Sequence, residues 1–175
     1  MMQTDVSSVH LNSTGFAYVG RTRVKGMVVS STATGGTVTI WDSTTAAVSA
    51  TYAQTAYTVT VTLVAHGLAS GDRVGISFNT ASGISATNGN YVVTVLTSST
   101  FTITDINSRT IAALTACSYV SSSLNGNTQW HFTVDTAAAA GTTNIVFPGE
   151  GILIESGIYA GMTTTNITSI SIFYG

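Results

Sequence analysis

The chain has 175 residues, a formal net charge of −2 and only 7% charged residues, whereas ordinary globular domains have about 25%. This charge gives no general attraction to nucleic acid or to anionic membranes. The 44% hydrophobic content excludes a disordered chain, because disordered segments are poor in apolar residues and rich in charge. Cys117 is the only cysteine, so an intrachain disulfide is excluded as well.

Residues 1–15 lack periodicity, and we interpret them as an extended arm. From Phe16 onward, apolar residues recur at every second position, which is typical of strands with one buried face. The short Ala137–Ala140 segment is too short to form a stable helix, and the predicted class is all-β. The breaker cluster at 121–127 separates the predicted strands into two series, at 18–30, 37–41, 57–64, 73–78, 91–96, 101–104 and 111–120, and then at 128–134, 144–147, 152–155, 157–159 and 167–174.

Three short motifs follow one another in the middle of the chain. They read HGL–x–x–GD–x–V from His66, NG–x–Y–x–V from Asn88 and S–x–TF–x–I from Ser98. In this order they resemble the small β-barrel module, called FCCH-like after the ubiquitin-activating enzymes, that phage virion and tail proteins often carry. The resemblance implies a compact antiparallel barrel and leaves open what the barrel binds.

The flanking pieces carry further motifs: GRTRVKG from Gly20, G–T–V–x–I–x–D from Gly36, PGEGI and GIY between Pro148 and Tyr159, and a final F–Y–G. Joined together, they resemble small virion proteins of marine podovirus-like phages. Together the flanks have the size of one β-sandwich. We therefore predict a discontinuous β-sandwich virion or capsid-binding domain, residues 1–54 plus 121–175, with an FCCH-like antiparallel β-barrel domain inserted at residues 55–120.

Signals for catalysis are weak in this sequence. His10, His66 and His131 are far apart and share no metal-ligand spacing. Glu150 and Glu155 are five residues apart, which on one straight strand would place them on opposite faces. We therefore expect no catalytic residue, metal, cofactor or small-molecule substrate, and we expect Cys117 to be a buried apolar residue.

One charge feature stands out. Arg21, Arg23 and Lys25 hold three of the five formal positive charges, and on a strand they share one face. They fit a solvated edge strand, a contact with an acidic partner such as a capsid lattice, or modest, salt-sensitive binding of nucleic acid. We take the three as the candidate capsid contact. A set of aromatic residues fits either core packing or a sugar-binding platform: Trp41, Trp130, Tyr57 and Tyr91.

Together these features predict a non-enzymatic structural protein of a tailed-bacteriophage virion, in the first place a head decoration (cement) protein. Its expected partners are the major capsid protein and copies of itself, without nucleic acid or membrane. Its expected place is the capsid surface, after assembly in the cytoplasm of the bacterial host. A tail, head–tail connector or fibre component and a glycan-binding adhesin of the host surface are the alternatives.

Overall fold

The computed structural model describes residues 5–79, 83–121, 129–163 and 165–175. Every regular element in these ranges is a β-strand, which confirms the predicted all-β class. The breaker cluster predicted at 121–127 lies outside the described residues except for Ser121. The strands are β1 (Ser7–Leu11), β2 (Gly15–Val19), β3 (Thr22–Ser31), β4 (Thr37–Asp42), β5 (Val48–Thr62), β6 (Arg73–Phe78), β7 (Gly89–Val92), β8 (Thr94–Thr97), β9 (Thr100–Ser121), β10 (Gln129–Asp135), β11 (Gly141–Val146), β12 (Ile152–Ile154), β13 (Gly157–Met162) and β14 (Ile167–Tyr174).

The chain divides into two compact units. The first combines the residues up to Ala46 with those from His131 onward, and the second is Ala47–Trp130. The sequence placed these boundaries at 54/55 and 120/121 instead. The first boundary comes earlier than predicted because Gln54 lies inside β5, where the pairing of Val48 with Tyr119 ties the start of that strand to the second unit.

The first unit is a sandwich of two sheets. One sheet has the order β1-β14-β3-β11, with β12 also paired to β3, and the other has the order β10-β4-β13-β2. Apolar side chains from both sheets meet in one core, as expected when two sheets bury their inner faces against each other. That core contains Val24, Met27, Val29, Val38, Ile40, Ile154, Ile158, Ala160, Met162, Ile167, Ile170 and Ile172.

A register shift in β3 adjusts which of its residues face this core. Val24 and Met27 are both buried although they are three positions apart, and the pairing with β14 shifts between Phe173 and Tyr174. Such a bulge changes the alternation of side chains between the two faces. Gly26 lies at this point, and a Cβ there would be 2.6 Å from the carbonyl oxygen of Ile145, so only glycine fits the close approach of β11.

The second unit is one antiparallel sheet that folds on itself around a separate core. β9 pairs at its start with β5 and β8 and at its end with β5 and β6, while β6 also pairs with β7. Since only Val93 separates β7 from β8, the pairing returns to β9 and encloses the apolar side chains. They are Ala50, Tyr52, Val59, Val61, Val74, Ile76, Phe78, Ala86, Val93, Phe101, Ile103, Ile111, Cys117 and Tyr119.

Several predictions of local structure differ from what is observed. The strand predicted at 57–64 overlaps only the last part of β5, and the strand predicted at 91–96 is divided between β7 and β8. The strands predicted at 101–104 and 111–120 are one continuous strand, β9, whose register against β5 shifts twice. The predicted N-terminal arm contains a strand of the first sheet, because β1 pairs with β14 from Ser7↔Tyr174 to Leu11↔Ile170. No helix in the described ranges has the length and apolar character needed to cross a membrane.

Candidate functional site

Two of the predicted cationic residues, Arg23 and Lys25, lie at the beginning of β3, and Arg21 immediately precedes that strand. Val24 points into the core and is 0% exposed, so Arg23 and Lys25 on either side of it point to the outer face of the sheet. β3 pairs with β14 along one edge and with β11 and β12 along the other. The edge-strand interpretation is therefore wrong for Arg23 and Lys25, which lie on a central strand.

Each of the three cations has a different contact. Arg21 Nε lies 3.0 Å from Glu155 Oε2, with side chains 67% and 41% exposed. Arg23 Nη1 donates to the carbonyl of Gly151 at 3.4 Å, and Lys25 Nζ donates to the carbonyl of Glu150 at 3.0 Å. The charge of Arg21 is thus partly offset by a carboxylate, whereas Arg23 and Lys25 contact neutral carbonyls.

A glycine turn brings the two carbonyls to this face. Gly149 and Gly151 have φ angles of +65° and +76°, in the left-handed region that glycine adopts without strain. A Cβ on Gly151 would be 2.4 Å from the carbonyl oxygen of Val24. The turn after Pro148 can therefore lie directly against β3 only with glycine at position 151.

A groove of about 400 Å³ opens beside Arg21 and Arg23. The rings of Tyr18 and Tyr174 pack against each other in its wall, with centroids 4.9 Å apart. Lys25 is not among the lining residues, so the groove takes up two of the three predicted contact residues. We call this surface the Arg–Tyr groove, and its lining is Ser7, Tyr18, Arg21, Thr22, Arg23, Leu153, Tyr174 and Gly175.

An exposed aromatic edge continues the groove along β2. Phe16, Tyr18 and Val19 are 38%, 37% and 64% exposed, and among the described strands β2 pairs only with β13. The ring of Phe16 packs on Tyr159 with centroids 4.9 Å apart, and Tyr159 packs in turn on Trp41 at 5.6 Å. The exposed Phe16 is thus the outer member of a row of packed rings that ends at the buried Trp41.

The composition of the groove suits recognition of a negatively charged partner. Guanidinium groups donate paired hydrogen bonds to carboxylates or phosphates. Tyrosine provides a large apolar surface with a polar tip, and Tyr and Arg are enriched among residues that dominate binding energy at interfaces. Arg21, Arg23, Tyr18 and Tyr174 bring these two chemistries together at one concave surface.

Asp42 is a buried carboxylate that sequence analysis missed. Its side chain accepts backbone N–H groups of Glu155 and Ser156 at 2.7 Å and of Gly157 at 3.1 Å. Burial raises its pKa, but His131 and the three N–H groups outweigh that effect and hold the pKa of Asp42 below its usual value. His131 Nε2 lies 3.8 Å from Oδ2, beyond hydrogen-bond distance. This carboxylate fixes the β12–β13 turn that carries Glu155.

Arg109 and Asp105 form a second buried network, in the second unit. Asp105 is 1% exposed and accepts the N–H groups of Thr87 at 2.9 Å and Asn107 at 3.0 Å. Arg109 Nη1 lies 3.4 Å from Asp105 Oδ2 and donates to the carbonyl of Ser85 at 2.7 Å. Burial raises the pKa of Asp105, but the hydrogen bonds and Arg109 together leave it lowered. These contacts fix the irregular part of β9.

The remaining residues considered for chemistry have structural contacts. His10 Nδ1 lies 3.0 Å from Ser171 Oγ, on the first unit, whereas His66 Nε2 contacts the carbonyl of Thr97 at 2.9 Å in the HGL turn. Cys117 is buried as predicted. Its burial raises the pKa of the thiol to about 12, so it is protonated at neutral pH.

The four aromatic residues noted in the sequence do not form one platform. Trp41 is 3% exposed, and the Tyr91 hydroxyl donates to the carbonyl of Thr87 inside the second unit. Tyr57 is 54% exposed on β5. The aromatic pair that lines the groove is instead Tyr18, which is 37% exposed, and the half-buried Tyr174, which the sequence separates by more than 150 positions.

Comparisons of this chain with protein-family models, with curated proteins and with solved structures found no match.

Proposed function

We propose that this chain is a non-enzymatic structural protein of a tailed-bacteriophage virion, and specifically a head decoration protein that attaches through the Arg–Tyr groove. Its partners on this proposal are the major capsid protein and further copies of itself. The observation that carries the proposal is the groove itself, in which Arg21 and Arg23 lie beside the packed rings of Tyr18 and Tyr174. The assignment to a virion rests on the two sets of motifs described above and their resemblance to phage proteins.

The surface around the groove supports a role in assembly. A chain with 7% charged residues has little surface charge to oppose association with other proteins. Its described surface also exposes large apolar side chains, which mark interaction sites when they are contiguous. On the first unit these are Val6, Phe16, Tyr18, Val19 and Val146.

The two chemistries of the groove contribute differently to attachment. Exposed ion pairs contribute about 0.2–1 kcal/mol each, so Arg21 and Arg23 alone cannot hold the protein on a shell. Burial of apolar surface contributes about 25 cal/mol per Å², and the aromatic residues supply that part. The arginines direct approach and register. Because the proposed protein binds the assembled shell and not the loose subunits, its binding stabilises the shell by mass action.

The test is co-sedimentation with purified capsids that lack the protein, at low and high salt. We compare Arg23→Gln with Lys25→Gln, because both residues lie on the outer face of β3 and only Arg23 lines the groove. Arg23→Gln should lower occupancy, most strongly at low salt, and Tyr18→Ala should lower it at both salt concentrations, because apolar contacts are not screened. Lys25→Gln should bind like the wild type.

Equal occupancy for Arg23→Gln, Tyr18→Ala and the wild type would contradict attachment through the groove. Each variant is first compared with the wild type by thermal melting, so that a loss of binding is not a loss of folding. The Tyr18–Tyr174 pair in the groove also favours one alternative, a host-surface adhesin that binds an acidic glycan, since aromatic side chains form sugar-binding platforms. Retention on a glycan array together with no binding to capsids would favour that alternative.

A further inference from the structure

A second surface lies on the other unit, at the free edge of β5. Among the described strands β5 pairs only with β9, so within the described part of the chain one edge of its backbone has no partner strand. Its fifteen residues include no Asp, Glu, Lys, Arg, His or Pro. Natural edge strands are usually protected by charge, proline, bulges or a short length, because an open edge is a template for pairing with another strand. The protection seen in β5 is a pair of register shifts against β9, one between Tyr52 and Gln54 and a second between Ala56 and Thr58, where Ala56 has a φ angle of +53°.

The segment after the second shift is straight and regular. Thr58–Thr62 pairs residue by residue with β9, from Thr58↔Thr104 to Thr62↔Thr100. Val59 and Val61 are 0% exposed and belong to the core, so the threonines at 58, 60 and 62 point outward. A strand of β-branched residues without charge has the composition that favours intermolecular pairing.

We propose that this edge pairs antiparallel with the same edge of a second copy of the chain, about a twofold axis at Thr60. The straight segment is centred on Thr60, so this register uses all five of its residues. Outward threonines then oppose outward threonines, a favourable cross-strand pair, and inward valines oppose inward valines. The contact is isologous and closes as a dimer.

Two observations select an identical copy as the occupant. The absence of charge along β5 removes the like-charge repulsion that opposes pairing of a strand with itself. Exposed apolar side chains also lie at both ends of the segment, with Tyr57 54% and Val64 79% exposed. In the twofold register, Tyr57 of each copy lies opposite Leu63 of the other and next to its Val64, so that each apolar end meets the other.

The test uses charges placed at the twofold axis of the full chain. Thr60→Lys puts two like charges directly opposite each other, and Thr60→Glu does the same with the other sign. Each variant alone should raise the dissociation constant of the dimer by about tenfold or more in analytical ultracentrifugation. An equimolar mixture of the two should restore the dimer, because opposite charges then face each other. That rescue also shows that the variants are folded.

Thr102→Lys is the matched control, since Thr102 is the β9 residue opposite Thr60 and lies between β5 and β8. It adds the same charge to the same face without touching the free edge, and it should dimerise like the wild type. A wild type that stays monomeric at micromolar concentration would leave the edge to a strand of another protein and overturn self-pairing. Equal weakening by Thr102→Lys, or a mixture without rescue, would overturn it as well. None of these outcomes bears on attachment through the Arg–Tyr groove.

Discussion

Removing the Asp42 carboxylate should destabilise the first unit by about 3 kcal/mol or more. Asp42→Ala leaves the N–H groups of Glu155, Ser156 and Gly157 without their acceptor in a site where the side chain is 2% exposed. The N–H group of Gly157 is buried and those of Glu155 and Ser156 are partly buried. A buried donor left unpaired costs about 1–3 kcal/mol, so the lower value for each of the three gives about 3 kcal/mol. This is a large part of the roughly 5–15 kcal/mol by which most domains are stable.

The assay is urea unfolding followed by the fluorescence of Trp41 in a Trp130→Phe background, which reports on the first unit. Asp42→Asn should be intermediate, because its carbonyl still accepts N–H groups while its amide group faces another donor. Asp135→Ala is the control, since Asp135 is an exposed residue whose carboxylate accepts only a hydroxyl in the contacts described, that of Thr37 at 2.8 Å. It should cost less than about 0.5 kcal/mol.

The pH dependence gives a second measurement of the same contact. Since the pKa of Asp42 is lower in the folded protein than its usual value, its contribution is present above the unfolded pKa of about 3.9 and is lost as pH falls through the folded pKa. The difference in stability between the wild type and Asp42→Asn should therefore shrink in acid. A cost below about 1 kcal/mol for Asp42→Ala at pH 7, or a difference that grows in acid, would refute the reasoning.

Two further predictions concern the local chemistry of the fold. Gly151→Ala should destabilise the first unit more than Gly149→Ala. Both residues have positive φ, which alone costs alanine about 1–2 kcal/mol, but only a Cβ at position 151 would overlap another atom, the Val24 oxygen at 2.4 Å, whereas a Cβ at 149 meets open space. Equal melting temperatures for the two variants would contradict the close packing of this turn. Cys117 should not react with a thiol reagent at pH 8 in the native protein, because burial raises its pKa to about 12, and labelling as fast as in urea would show that the site is open.

Alternation of apolar residues predicted most of the strands because each strand has one buried face. The strand predicted at 73–78 is β6 and that at 167–174 is β14, with the same bounds. Alternation failed where bulges interrupt it, as in β9, because residues on either side of a bulge no longer share a face. Buried polar groups such as Asp105 hold that irregular stretch in place, and they interrupt the apolar pattern that sequence analysis reads.

The site was predicted only in part, because the groove combines residues that are distant in the sequence. Arg21 and Arg23 stood out as a cluster of charge in a charge-poor chain. Tyr18 and Tyr174 gave no such signal, since their contact depends on the folding of β2 and β14 into one sandwich. Asp42 gave no signal either, because nothing local shows that three N–H groups from positions 155–157 converge on it.

A reconstruction of the intact virion at a resolution that separates strands tests the central claim most directly. The account predicts density for the first unit in many copies on the head shell, with the Arg–Tyr groove facing an acidic and apolar surface of a capsid subunit. Density for this chain at the tail, or on the head with Tyr18, Arg21 and Arg23 facing solvent, would contradict it.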